Sequence, residues 1–379
     1  VSKGPSRRWF VVAVPLLSAV LTLAVVELGL AVLFPVPFPI EKNMTFQADP
    51  YTGYRLKPSS TGAFHNGIPA RTNANGHRDR FVPQARQSGV PRVLVLGDSF
   101  TVGAGVAQEA AYPEVLEQLL SAAEDGPVEV INAGVGGWGP FHYAQYYEHY
   151  GRAFSPDLIM IGFFIGNDSF SELNDLGNAR TAILGRRVSG DGASNPLTAL
   201  KVLAVDHSHL ARLMLNRGPV GRDFRRRHCA DFTGDYLGIQ RTRLFNHRKA
   251  SPDTRQRART SIEQIARIAR SGAADGIPVA VVLIPDENQL NEALQRELLS
   301  GAERAEYDFA MPQRMLTELF AKEGIPVIDL LPAFEQDPRC LYMNDTHWTE
   351  EGHALAGSVI YRSLLDSGIW EKIVADAES

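Results

Sequence analysis

Five short apolar runs constrain this chain more than any other feature. They are 92–96 (RVLVL), 128–133 (VEVINA), 157–164 (DLIMIGFF), 277–284 (IPVAVVLI) and 326–330 (PVIDL). Their length and β-branched content predict buried strands. Helical patterns separate them. Val115, Leu116, Leu119 and Leu120 recur at helical spacing within 107–123, and 141–153 is aromatic-rich. A helical stretch precedes each of the last two runs, and a final helix starts near Thr349. Strands alternating with helices pair in parallel through right-handed crossovers. Strands that are apolar at nearly every position lie in a sheet covered on both faces. The expectation is a three-layer α/β/α sandwich with a five-stranded parallel sheet.

In such sheets ligands bind beyond the carboxyl ends of the strands. The first run is followed by Gly97-Asp98-Ser99-Phe100 and the second by Gly134-Val135-Gly136-Gly137. The third is followed by Gly166-Asn167-Asp168, and Asn344-Asp345-Thr346-His347-Trp348 is placed after the fifth. Together they supply a hydroxyl, a close-approach glycine, a carboxamide, and an imidazole with a carboxylate, which is the set acyl transfer needs. A serine hydroxyl needs a base to become a nucleophile. His347, with an unperturbed pKa near 6.5, can be that base, and Asp345 can hold its tautomer. The N–H groups of Ser99 and Gly134 and the Asn167 amide can face an oxyanion.

These blocks resemble those of the SGNH/GDSL hydrolase family, over about residues 91–366. The resemblance implies a flavodoxin-like fold, Ser99 as nucleophile, and Ser99, Gly134 and Asn167 as the oxyanion hole. The last block then supplies acid and histidine. Segment 49–90 is similar to the lead-in of membrane-anchored bacterial members. One position departs from the commonest family pattern: three residues before the histidine stands Asn344, and the acid, Asp345, is two before. The Asp-x-His-Trp form resembles relatives acting on exopolysaccharide acetyl groups.

Each residue also has a plainer reading. Ser99 can cap a helix, Gly134 can permit a tight turn, Asn167 and Asp168 can form turns, and Asp345 can cap the helix near Thr349. His353 reads as structural. Gly134 to Gly139 also matches G-x-G-x-x-G, but the bulky Trp138 inside the loop argues against a dinucleotide site. No P-loop and no G-x-S-x-G elbow is present.

The N-terminal region reads differently. Residues 10–34 carry one charge, Glu27, and follow Lys3, Arg7 and Arg8. A 25-residue helix spans about 37 Å, against a bilayer core of about 30 Å. The expectation for 1–34 is a signal anchor with its basic end in the cytoplasm. A cleaved signal peptide or a buried helix is the alternative. Glu27 calls for either the far interface or a partner helix. Residues 35–90 read as a proline-rich spacer and a lead-in extension, and 91–370 as the hydrolase domain. An insertion at 169–250 carries Arg222, Arg225, Arg226 and Arg227, and reads as a substrate lid, as a basic cluster meeting an anionic polymer or headgroup, or as a solvated loop face. Cys229 and Cys340 can pair outside the cytoplasm or remain two buried thiols. With 38 basic and 43 acidic residues, the balance argues against nucleic acid as a partner.

The function expected is a membrane-anchored, extracytoplasmic serine esterase. It would need no metal or organic cofactor, and the resemblance implies a small ester substrate such as a glycan O-acetyl group. The alternatives are an O-acyltransferase using a sugar acceptor, or a non-catalytic glycan-binding protein.

Overall fold

The structure, a computed structural model, describes residues 7–33, 46–63, 68–170, 208–215, 230–248 and 252–378. Helix α1 (Arg7–Leu33) contains Ala13–Leu33, which is long and apolar enough to cross a membrane by length and composition. Two antiparallel hairpins follow: β1 (Phe46–Asp49) with β2 (Gly53–Leu56), and β3 (Thr61–Ala63) with β4 (Pro69–Arg71).

The five apolar runs form one parallel sheet of β5 (Arg92–Gly97), β6 (Glu129–Asn132), β7 (Leu158–Phe164), β8 (Val279–Ile284) and β9 (Val327–Asp329). Its spatial order is β6-β5-β7-β8-β9. Counted from the first parallel strand this is 2-1-3-4-5, the flavodoxin-like order, whose switch point lies beside the first strand. Along the chain, α2 (Tyr112–Ala123) follows β5 and α3 (Pro140–His149) follows β6. The insertion after β7 contributes α4 (His209–Leu215) and α5 (Gly234–Arg243). Helix α6 (Pro252–Ala274) leads to β8 and α7 (Met311–Lys322) to β9. Helices α8 (Leu331–Gln336), α9 (Glu350–Asp366) and α10 (Ile369–Glu378) close the chain.

The strand pleat explains both cores. Val93, Val95, Met160 and Val282 meet α2, α9 and α10 on one face. Leu94, Leu96, Ile161 and Val281 meet α3, α6 and α7 on the other. Both faces are covered, so alternation is invisible in the sequence and each strand reads as a continuous apolar run. Helix starts follow local chemistry: Pro113 stands in the first turn of α2, Pro140 opens α3, and the Thr349 side chain caps α9 by accepting the Gly352 N–H.

The lead-in packs onto the sheet domain. The Tyr54 hydroxyl donates to Gly136 O at 3.1 Å, and Trp138 Nε1 donates back to Tyr54 O at 3.1 Å. Trp138 is therefore buried within a packed loop. The spacer at 35–42, the basic cluster at 222–227 and Cys229 lie outside the described residues. Cys340 is disulfide-bonded.

Candidate active site

Beyond Gly97 the chain folds into stacked tight turns. Asp98 Oδ1 accepts the Phe100 N–H at 2.9 Å, Asp98 O accepts the Val102 N–H at 3.0 Å, and Ser99 O accepts the Ala104 N–H at 2.9 Å. No helix begins at Ser99; the next helical turn is Gln108–Ala110. Thr101 occupies a slot that only glycine permits. A Cβ on Gly97 would lie 1.9 Å from Thr101 Oγ1, and one on Gly134 would lie 2.4 Å from the Val102 nitrogen. The missing side chains let the end of β6 approach the Ser99 turn.

The Asn167 carboxamide comes from the end of β7 and donates to Asp98 Oδ2 at 2.9 Å. Burial pushes the Asp98 carboxyl up, while the Phe100 N–H, Asn167 and the charge of His347 oppose that shift. Asp168 is buried and accepts from the Tyr143 hydroxyl and the Phe164 N–H, both at 3.0 Å. Its carboxyl is held well above the usual range by burial, and by Asp98 nearby. The Gly134 N–H, expected to face an oxyanion, donates to Asn132 Oδ1 at 3.2 Å.

Asp345 and His347 share a tight hairpin. The Met343 N–H donates to His347 O at 2.7 Å, and Tyr342 bridges Trp348 across the loop. Thr346, between acid and histidine, has φ +83°, which a β-branched residue rarely adopts. His347 Nδ1 is 2.9 Å from Asp345 Oδ2, and the His347 N–H donates to Asp345 Oδ1 at 3.1 Å. Asp345 therefore pairs with His347, and Thr349 caps α9. The His347 ring lies 5.4 Å from that of Phe100, the residue after Ser99. Trp348 pins the hairpin by packing on Phe100 and Phe334 at 4.9 and 5.0 Å. The structure thus brings the Ser99 turn, Gly134, Asn167, Asp345 and His347 to one edge of the sheet. The hairpin does not follow β9 directly, because α8 intervenes. His353 is fully buried, its Nδ1 accepts the Tyr112 N–H at 3.3 Å, and burial lowers its pKa to about 3.

Three features of this edge were not read from the sequence. Asp286 follows β8 and is fully buried; the strand-end rule would have found it had β8 been included. Helix α5 docks here with Tyr236, Gln240 and Arg243 on one face. Gln240 Nε2 donates to the Tyr236 hydroxyl and Asn288 Nδ2 to Gln240 Oε1, both at 3.0 Å, while Tyr236 donates to Glu287. The Arg243 guanidinium stands 5.0 Å over the Phe164 ring and 3.6 Å from Asp286. This part of the insertion covers the sheet end rather than forming a solvated face.

The third feature is Arg78. It is fully buried and donates to Val102 O at 2.9 Å, Gly103 O at 3.2 Å and Val106 O at 2.7 Å, which are carbonyls of the loop following Ser99. Its neighbour Asp79 accepts the Asn132 N–H at 2.9 Å, and burial pushes that carboxyl up to about 7. A carboxyl raised in the folded state favours folding below its unfolded pKa and loses that contribution as pH rises toward 7. Asp79→Asn keeps an acceptor for Asn132 and removes the charge. We expect it to raise Tm by about 2–4 °C at pH 8, with the gain vanishing near pH 4. Thermal scans across that range check it; a constant difference would contradict it.

Residues 95–355, more than two thirds of the chain, match the model of the GDSL-like Lipase/Acylhydrolase family. No curated protein matches. Solved structures similar to the chain include a lipase/acylhydrolase from Enterococcus faecalis, at 16% identity and TM-score 0.36, covering 73% of this chain and 95% of that one. An acetyl xylan esterase is 13% identical with TM-score 0.38, covering 72% and 99%. A psychrotrophic esterase from Pseudoalteromonas sp. is 13% identical with TM-score 0.35, covering 73% and 97%. The family match runs through the strand-end blocks that meet at this edge of the sheet, and the chain belongs to the GDSL-like lipase/acylhydrolase family.

Proposed function

We propose that this chain is a serine esterase, anchored to a membrane by α1 with its hydrolase domain on the non-cytoplasmic side. The observation that carries the chemistry is the Asp345–His347 pair held beside the Ser99 turn. Ser99 Oγ attacks the ester carbonyl and its proton passes to His347 Nε2. His347 returns the proton to the departing alcohol. Water, deprotonated by His347, then releases the acid and restores Ser99. The oxyanion draws on the Ser99 and Gly134 N–H groups and the second N–H of the Asn167 amide. Gly134's existing bond is long, and a full negative charge is the stronger acceptor. The substrate we favour is a small acyl ester such as an O-acetyl group on a glycan.

The test is an ester panel of varied acyl length with fluorophosphonate labelling, plus acetyl release measured against transfer to an oligosaccharide. Label on the wild-type protein that is absent in Ser99→Ala supports the reading; equal labelling of both overturns it. Asp345→Asn leaves the hairpin able to form but presents the wrong partner to His347 Nδ1. We expect kcat to fall by about 10⁴-fold, with Tm nearly unchanged.

A further inference from the structure

Glu27 is the single charge of the apolar run, and its partners lie 181 to 183 residues downstream. Its carboxylate accepts from Ser208 Oγ at 2.7 Å, from the His209 N–H at 2.5 Å and from the Leu210 N–H at 3.0 Å. Ser208 Oγ in turn accepts the Ala211 N–H at 3.0 Å. Helix α4 of the insertion therefore begins against the side of α1, with Glu27 as its cap.

The depth of that contact matters. Glu27 precedes Leu33 by six residues, or about 9 Å of helix at the usual rise. If α1 spans a bilayer, this is below the end of the apolar span. A carboxylate there is costly unless paired, and three donors meet it. Helix α4 reads HLARLML, and its Leu213 and Met214 are 51% and 61% exposed. Outside α1, the only other exposed large apolar side chains among the described residues are Tyr51 and Phe81. Two adjacent exposed apolar side chains, on a short helix whose N-terminus is fixed at that depth beside a membrane-length helix, are suited to hydrocarbon rather than water.

We propose that α4 is a second membrane-contacting element, docked on α1 through Glu27 in the leaflet nearest the hydrolase domain, with Leu213 and Met214 against lipid acyl chains. This rests on α1 spanning the membrane and not on the esterase chemistry. Its consequence is mechanical. Only twelve residues, 34–45, join α1 to β1 along the chain. A second contact, made from the insertion that also supplies α5 to the site, turns this single tether into a two-point mount.

The test uses the full chain in nanodiscs of phosphatidylcholine and phosphatidylglycerol containing nitroxide-labelled lipid. A fluorophore is placed on Met214→Cys, or at mid-span on Val20→Cys, with the unsubstituted chain as blank. We expect lipid quenching and protection from aqueous iodide at both positions. Adding Glu27→Leu makes the span more apolar, so quenching at position 20 should persist while that at 214 is lost. Iodide access at 214 should rise, and hydrolysis of a water-soluble ester should stay unchanged. Quenching at 20 with iodide access at 214 in the otherwise wild-type chain overturns the α4 proposal alone. Quenching at 214 that survives Glu27→Leu overturns the docking role of Glu27. An unquenched probe at 20 overturns the membrane reading on which both rest.

Discussion

Replacing Ser99 with alanine is expected to abolish ester turnover while leaving the fold intact. Ser99 is half-buried and its hydroxyl makes no hydrogen bond among the described residues. The substitution therefore strands no partner, and Tm should hardly move. The turn that carries it is built from backbone bonds and the Asp98 carboxylate, which alanine leaves in place. Activity is a different matter, because the residues of a nucleophile–base unit act together. Removing either one costs nearly as much as removing both, up to about 10⁶-fold in kcat. His347→Ala should therefore match Ser99→Ala, and the double variant should be no worse than either single one. Steady-state kinetics on the best ester of the panel, with thermal scans alongside, check this. Losses that multiply in the double variant, or a Ser99→Ala protein that keeps its rate, would sink the nucleophile assignment.

The second large effect is expected at Arg78, a residue that need not touch substrate. Arg78→Met keeps the length of the side chain and removes its donors. Three loop carbonyls then lose their partner, and half-buried Glu114, whose carboxyl burial pushes up and the Arg78 charge draws down, loses that nearby charge. Stripping a charged donor from three buried carbonyls costs about 3–5 kcal/mol in total, at about 1–3 kcal/mol for each acceptor left unsatisfied. At about 2–4 °C per kcal/mol for a domain this large, Tm should fall by roughly 6–20 °C. Because the freed loop follows Ser99 directly, kcat should fall below the wild-type value even at temperatures where the variant is folded. Arg78→Lys restores the charge but not the planar fork, so it should recover only part of the stability. Thermal denaturation with kinetics at 15 °C separates the two effects. A Tm within 2 °C of wild type for Arg78→Met would refute the role.

The contrast between these residues shows what was legible in the sequence. All five strands were readable because a parallel sheet covered on both faces leaves continuous apolar runs, and their ends pointed to Ser99, Asn167 and the Asp345–His347 loop. Arg78 was not readable. An arginine in a turn-rich segment normally faces water, and only the approach of the 102–106 carbonyls makes this one internal. Glu27 and Ser208, and Arg243 and Asp286, meet across sequence gaps that no local pattern encodes. Helix α8 was missed for another reason: its six residues are too short to show a period, so the His347 hairpin was placed one element too early.

The grip of the lead-in on the Ser99 loop gives the molecule a lower limit on what can be inherited as one piece. The recognisable family footprint starts at residue 95, yet Tyr54 and Arg78, which hold that footprint's loops, stand upstream of it. A gene rearrangement that carried only the footprint into a new protein would deliver the strand-end loops without their braces. Recombination that preserves function should therefore break the coding sequence ahead of residue 46, not at the edge of the sheet.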